Sequence, residues 1–288
     1  MEKLTSPKTI EAILNRYGLH FNKRFGQNFL IDDNIVNKIV EAGQVTKDDV
    51  VLEIGPGIGT MTRVLSEHAG KVYTVEIDKK LIPVLRETLA DCDNVTVVEG
   101  DILKTDVAAL LAKDLETASL KIVANLPYYV TTPIIMGFLE SALPVERMTF
   151  LIQKEVGERL CAEPGTKAYG SLTIAAAFYA EMEISFYVPA TVFMPRPRVD
   201  SIVVTLTKRD EPPAALVDKA LFFKVVRAAF QSRRKTLINS MSSAMDCPKE
   251  VLLSAMAQAD IDPAIRGEKL TGEDFARLAN ALAEGLGR

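Results

Sequence analysis

Short apolar runs alternate with stretches of helical periodicity over residues 1–208, and this alternation predicts strands joined by helices. Five runs, at 50–54, 71–76, 95–99, 120–124 and 148–152, read as buried strands. Strands covered on both faces have this pattern, so an open, mostly parallel sheet is expected. Two more runs, 182–188 and 199–206, are separated by a loop over 189–198 that holds three prolines and is too long for a tight hairpin. Helical patterns fall at 60–69, 132–143 and 169–177, with a short one ending before Pro164-Gly165. The polar segment 207–213 closes this regime. Beyond it the period is helical throughout, at 216–230, from Arg234 onward, at 250–258 and at 271–282, where Thr271 with Asp274 forms an N-terminal box. The expected architecture is α/β, with one domain over 1–208 and a smaller all-helical domain over 209–288.

The N-terminal extension carries its own signals. Ser6-Pro7 predicts a helix start, a hydroxyl cap followed by proline at the first helical position, and Gly18 ends the helix after Tyr17. A second helix begins at 32–34 with Ile35, Val36, Ile39 and Val40 as its inward stripe. Between them, residues 21–30 mix bases, amides and aromatics with a period of neither 2 nor 3.6. A loop that lies over a ligand and also meets a phosphate backbone accounts for the mixture, with Phe21, Phe25 and Phe29 as anchors. A plain structural collar is the competing reading.

Polar residues at the ends of the apolar runs bring in the chemistry. Run 50–54 feeds into Gly55-Pro56-Gly57-Ile58-Gly59 and then a helix. Glycines permit a sharp turn and close approach of a ligand to the backbone, and the helix offers free amides. Run 71–76 ends in Glu76, 21 residues after Gly55, a spacing at which a carboxylate can accept both ribose hydroxyls of an adenosine-containing cofactor. Run 95–99 is followed by Asp101, and run 120–124 by Asn125-Leu126-Pro127-Tyr128. Glu76, Asp101 and Asn125 are therefore expected along one rim, in that order, where open α/β sheets bind ligands. An amide, a proline and an aromatic ring in succession suit a flat, hydrogen-bonding ring such as a nucleobase. The alternative is a turn in which Asn125 caps its own backbone and Tyr128 packs on the sheet.

Charge bears on which cofactor this is. A dinucleotide would bring a pyrophosphate to the glycine turn, whereas S-adenosylmethionine carries a positive sulfonium and an amino acid end. Glu53 before the turn, with Asp101 and Asn125 beyond, makes an acidic rim suited to the latter. No histidine stands near a predicted strand end to serve a nicotinamide-dependent oxidoreductase, so S-adenosylmethionine is preferred over NAD.

Composition narrows the remaining classes. A chain of 288 residues can bury a substantial core. Its three cysteines, Cys92, Cys161 and Cys247, stand far apart, and His20 and His68 are the only histidines, so neither a metal cluster nor a disulfide framework is expected. No uncharged apolar run has membrane-spanning length, and the first eight residues are polar, which implies a soluble, cytoplasmic protein. The net charge of -4 is unevenly spread. Between Ala190 and Ser240 stand ten Lys or Arg residues against four acids, and such asymmetry can orient an acidic protein on a polyanion. A merely solvated charged face is the other reading.

Taken together, Phe25-Gly26-Gln27-Asn28-Phe29-Leu30, Glu53 to Gly59, Val75-Glu76-Ile77-Asp78, Glu99-Gly100-Asp101, Asn125 to Tyr128, Pro195 to Ser201 and Phe230 to Leu237 resemble one family. It is that of the small-subunit ribosomal RNA adenine N6,N6-dimethyltransferases of the KsgA or RsmA type. The resemblance covers nearly the whole chain. It implies a Rossmann-like methyltransferase sheet with a helical rRNA-recognition domain, and dimethylation of two adjacent adenosines in the 3′-terminal hairpin loop of small-subunit (16S) rRNA. The reaction would use S-adenosylmethionine, release S-adenosylhomocysteine, and take place in a pre-ribosomal 30S particle, with the enzyme a monomer. By the same resemblance Asn28, Leu30, Gly55, Gly57, Glu76, Ile77, Asp101, Ile102 and Asn125 are cofactor-contacting positions. Asn125, Leu126, Pro127 and Tyr128 form the catalytic motif. Lys23, Arg24, Arg196, Arg198, Arg233, Arg234 and Lys235 are the expected RNA contacts. The macrolide-resistance methyltransferases of large-subunit (23S) rRNA share the fold and most of the rim, but lack the patterns at 195–201 and 230–237. A non-catalytic rRNA-binding assembly factor and a small-molecule methyltransferase are the readings from other classes.

Overall fold

A computed structural model describes residues 3–21, 26–116 and 118–287. The chain divides into two compact units, Met1–Gly157 with Met182–Lys208, and Glu158–Glu181 with Arg209–Arg288. This corrects the expectation of two continuous domains. Residues 158–181 go with the helical unit because Tyr169, Ile174 and Phe178 pack into its core with Phe222, Phe275 and Leu282.

The first unit is built on nine strands: β1 (Phe29–Leu30), β2 (Asp49–Ile54), β3 (Lys71–Glu76), β4 (Val95–Glu99), β5 (Ser119–Asn125), β6 (Val145–Gln153), β7 (Ala180–Val188), β8 (Phe193–Met194) and β9 (Ser201–Lys208). Seven form one sheet in the order β4-β3-β2-β5-β6-β9-β7. The pairs among β2 to β6 are parallel, and β9 runs antiparallel to β6. β2 and β5 are buried almost throughout, as central parallel strands require. Lys121, polar in the middle of an apolar run, is tolerated because its Nζ reaches Asp49 at 3.0 Å and the Gln44 carbonyl at 2.6 Å.

The chain runs outward from β2 through β3 to β4, then crosses back to place β5 on the other side of β2. A crevice opens where the direction reverses, at the carboxyl ends of β2 and β5. This alters the expected order of the rim: in space it runs Asp101, Glu76, glycine turn, Asn125. The glycine turn lies between the acids and the amide.

Local signals placed most helices. The helix Pro7–Arg16 starts with proline at its first turn, although the Ser6 side chain makes no capping bond. Asp32 caps Asp33–Ala42 by accepting from Asn34 and Ile35, and Val36, Ile39 and Val40 are its buried face. The described end of the segment serves as a collar: β1 pairs with β8, Phe29 opposite Met194 and Leu30 opposite Phe193. The collar is thus joined to the proline-containing loop. The Phe21 and Phe29 rings lie 5.9 Å apart, whereas Phe25, Lys23 and Arg24 fall outside the described residues. Helices Ile82–Thr88 and Val107–Leu111 are additional to the expected elements, although Leu81, Val84, Leu85 and Leu89 fall at helical spacing and are buried.

The second unit is helical, with Ser171–Tyr179, Lys219–Phe230, Leu237–Ala244, Lys249–Gln258 and Gly272–Gly285 around the Phe222 and Phe275 core. The predicted box at its last helix is formed: Asp274 N donates to Thr271 Oγ1 at 3.1 Å, and Thr271 N donates to the Asp274 carboxylate at 2.7 Å. Among the described residues no helix is long and apolar enough to cross a membrane, and no group of three or more His, Cys, Asp or Glu could hold a metal ion.

Candidate active site

The glycine turn is held in shape from two sides. Gly55, Gly57 and Gly59 all have positive φ, at 67°, 62° and 88°, a region that favours glycine. A Cβ on Gly57 would meet the Phe29 ring at 2.7 Å, so the collar closes against the turn. A Cβ on Gly55, in contrast, would meet nothing within 4 Å. Gly55 therefore faces open space at the mouth of β2.

Glu76 ends β3 beside this space and is 4% exposed. Its carboxylate accepts from Gly57 N at 3.3 Å and from Asp78 N at 2.8 Å, which ties the strand end to the turn. Burial pushes its pKa up to about 7. Glu53, just before the turn, is 1% exposed and likewise pushed by burial to about 7. Its Oε2 accepts from the Thr62 hydroxyl at 2.6 Å, while Oε1 has no hydrogen-bond partner. A buried acceptor left unmade is costly, so an incomplete site is the natural reading of it.

On the other side of the turn, Asn125 Nδ2 donates to the Asn28 carbonyl at 3.0 Å, and Asn28 Nδ2 donates to the Gly26 carbonyl at 3.0 Å. Gln27 Nε2 donates to Asp78 at 3.1 Å, so the collar is braced on β3 as well. Leu126 is buried and its N donates to the Leu151 carbonyl. The Pro127 carbonyl accepts from Val130 N and from the Thr131 hydroxyl, both at 3.2 Å. Tyr128 is half-buried, and its hydroxyl shares a 2.9 Å hydrogen bond with that of Ser201, which is wholly buried.

One cleft gathers Asn28, Leu30, Gly55, Gly57, Glu76 and Ile77 with the four residues Asn125 to Tyr128. It leaves out two expected positions. Asp101 lies one strand beyond Glu76, where its carboxylate accepts from Leu103 N at 3.1 Å and sits 3.7 Å from Lys104 Nζ. Ile102 faces a separate apolar hollow with Leu103, Val107, Ile134 and Phe138. Both are off the cleft because β4 is the edge strand. Glu53, expected on the acidic rim, lines the cleft, as do Thr60 and Met61, for which nothing in the sequence predicts a role. For Glu53 the signal was present: an acid inside a run that is otherwise apolar.

The basic residues separate into kinds. Arg196 and Arg198 are exposed in the loop before β9. In the other unit Arg234 and Lys235 are exposed, while Arg233 donates to the Lys167 and Tyr169 carbonyls and so also holds that unit together.

The residues present fit S-adenosylmethionine. Glu76 offers carboxylate acceptors for a ribose diol, Gly55 an open cradle, and Glu53 an unsatisfied acidic oxygen for a cationic group. The turn contributes no cationic side chain to receive a pyrophosphate.

The chain matches the ribosomal RNA adenine dimethylase family over residues 18–284. It is 50% identical over 283 residues to the ribosomal RNA small subunit methyltransferase A of Geobacillus thermodenitrificans, covering 97% of each chain. Among solved structures it is similar to a dimethyladenosine transferase from Plasmodium falciparum, with TM-score 0.73 and 26% identity over 87% of this chain and 95% of that one. It is also similar to a 23S rRNA methyltransferase, ErmE, with TM-score 0.68 and 28% identity over 88% and 99%. Fold and site thus define a Rossmann-like RNA methyltransferase. More narrowly, the chain belongs to the ribosomal RNA adenine dimethylase family. It is an enzyme, its methyl donor is S-adenosylmethionine, and its target is adenine in ribosomal RNA.

Proposed function

We propose that this protein dimethylates N6 of two adjacent adenosines in the 3′-terminal hairpin loop of small-subunit rRNA, in the cytoplasm, as a monomer acting on an assembling small subunit. The full-length identity to a small-subunit methyltransferase supports the choice of subunit. The observation that carries the chemistry is the Asn125 to Asn28 hydrogen bond, which commits the amide nitrogen and leaves the amide oxygen as an acceptor.

Adenine N6 is a weak nucleophile because its lone pair is delocalised into the ring. Two acceptors aimed at its hydrogens favour a tetrahedral nitrogen and free the lone pair. Asn125 Oδ1 is one. The Pro127 carbonyl is already engaged by Val130 and Thr131, so the Leu126 carbonyl is the second. Tyr128 stacks on a base turned out of its RNA context. Catalysis is chiefly placement and electrostatics, and needs no histidine base. Glu76, Gly55, Gly57, Asn28, Leu30 and Ile77 hold the cofactor, with Asp101 and Ile102 reached by its far end. The cofactor supplies an electrophilic methyl on a sulfonium. After transfer the proton on N6 leaves to water. Because N6 must react twice, the pocket has to accept a nitrogen that already carries one methyl.

Arg196, Arg198, Arg234, Lys235 and Arg233 meet RNA phosphate in this reading, with Lys23 and Arg24 from the collar. The likeness to ErmE supports large-subunit rRNA as the alternative target, since the two share a fold. Labelled methyl incorporation separates the readings. Immature small subunits should take up label, and large-subunit RNA and free adenosine should not. Label in the large-subunit arm alone would overturn the assignment.

A further inference from the structure

Among the described residues nine large apolar side chains are exposed by more than a third, and five of them lie at strand ends, after β3, β4 and β5, just before β9 and near the end of β7. They are Leu103 (50%), Ile77 (41%), Tyr129 (59%), Val199 (45%) and Tyr187 (54%). Scattered exposed apolar residues need no explanation, but alignment along one edge is not scatter. The strand order puts Leu103 and Ile77 on one side of the glycine turn, after β4 and β3. It puts Tyr129, Val199 and Tyr187 on the other, at β5, β9 and β7. Ile77 lines the cleft beside Glu76, so its side belongs to the cofactor. Tyr129 directly follows the Asn125 to Tyr128 motif, so the opposite side belongs to the substrate.

That substrate half has the composition of a single-strand binding edge. Lys154, directly after β6, places its Nζ 5.3 Å from the centroid of the Tyr187 ring. Arg196 and Arg198 are exposed in the segment that leads to Val199. From β5 to β7 is three strand spacings, about 14 Å. Aromatic rings interleaved with cations bind unpaired nucleotides by stacking and phosphate contact, with little sequence preference.

We propose that Tyr129 and Tyr187 form a stacking platform for the unpaired nucleotides that flank the target adenosine. Lys154 braces the Tyr187 ring, and Arg196 and Arg198 meet the flanking phosphates. The proposal rests on the rRNA hairpin reading above and explains one of its demands. Two adjacent adenosines must enter the same pocket in turn, so the flanking RNA is held in two registers. Stacking tolerates either register because every base has a π-face.

The test uses the full chain, a small-subunit hairpin RNA with 2-aminopurine one or two nucleotides from the target, and saturating S-adenosylhomocysteine. The parent protein should quench the 2-aminopurine on binding. Tyr187→Ala and Tyr129→Ala should each lose part of the quench and weaken binding about tenfold, and Tyr187→Phe should retain both. Unaltered calorimetric binding of S-adenosylhomocysteine by each variant confirms an intact fold. Parent-like quench and affinity in both alanine variants would overturn the platform while leaving the methylation reading intact. A loss of affinity seen with immature particles but not with the hairpin would also overturn it, and would assign the edge to a protein of the particle. Failure of the parent to methylate immature small subunits would instead refute the function itself.

Discussion

The Asn125 side chain donates from Nδ2 to the Asn28 carbonyl at 3.0 Å, across 97 residues of sequence. A carbonyl can only accept, so this contact sets which end of the amide is turned toward the cleft. In the proposed reaction the collar would therefore orient the group that recognises the reacting nitrogen.

Replacing Asn125 by Ala should lower single-turnover methyl transfer by about 10²- to 10³-fold, the scale of losing one aimed polar group in a transition state. Calorimetric affinity for S-adenosylhomocysteine should change far less. Parent-like turnover on immature subunits would remove Asn125 from the mechanism.

Glu76 should make cofactor binding depend on pH. A ribose diol donates to the ionised carboxylate, and burial places its titration at about 7. Affinity should therefore fall as pH drops through that value and level off above it. Glu76→Gln should bind weakly and with a flatter profile. Calorimetry from about pH 6 to pH 8 decides it, and an identical slope in both proteins would assign the titration elsewhere.

Glu53 should act on stability. Its ordinary pKa of 4.5 rises to about 7 in the fold, so the folded chain retains a proton that the unfolded chain has lost. The resulting stability is present below the unfolded value and is lost as pH rises through about 7. Glu53→Gln should thus gain stability over the parent by about 1–3 kcal/mol at pH 8, and lose that advantage near pH 5. Thermal melts at the two pH values measure this; a constant difference would show that Glu53 is ionised throughout.

Tyr128 and Ser201 share a 2.9 Å hydrogen bond, and the ring it steadies faces the base in this account. Tyr128→Phe and Ser201→Ala should each slow the second methylation relative to the first, and the double variant should be little worse than either. Additive losses would mean that the two hydroxyls act independently.

The basic cluster should show a division of labour. Neutralising Arg234 and Lys235 should flatten the salt dependence of RNA binding with little effect on melting. Arg233→Ala should in addition lower the melting temperature, because it releases the Lys167 and Tyr169 carbonyls. Equal salt slopes for the Arg234/Lys235 variant and its parent would identify a solvated face.

The strands, the glycine turn and Glu76 were legible because each is local: an apolar run, a breaker and an acid at its end. What brings distant segments together was not. The β1–β8 pairing joins Phe29 to Met194, and Ser201 meets Tyr128 from 73 residues away, neither of which leaves a periodic trace. The rim order depends on the crossover from β4 back to β5, which no single run encodes. The segment 158–181 reads as part of the sheet domain until Tyr169 and Phe178 are seen in the helical core.

The most direct test of the central claim is to map the modified nucleotides in small-subunit rRNA by mass spectrometry. Immature subunits would be incubated with S-adenosylmethionine and either the parent or Asn125→Ala. The account predicts N6,N6-dimethyladenosine at two adjacent positions of the 3′-terminal hairpin loop with the parent, and almost none with the variant. Methyl groups at any other atom or in any other RNA, or an undiminished yield from the variant, would contradict it.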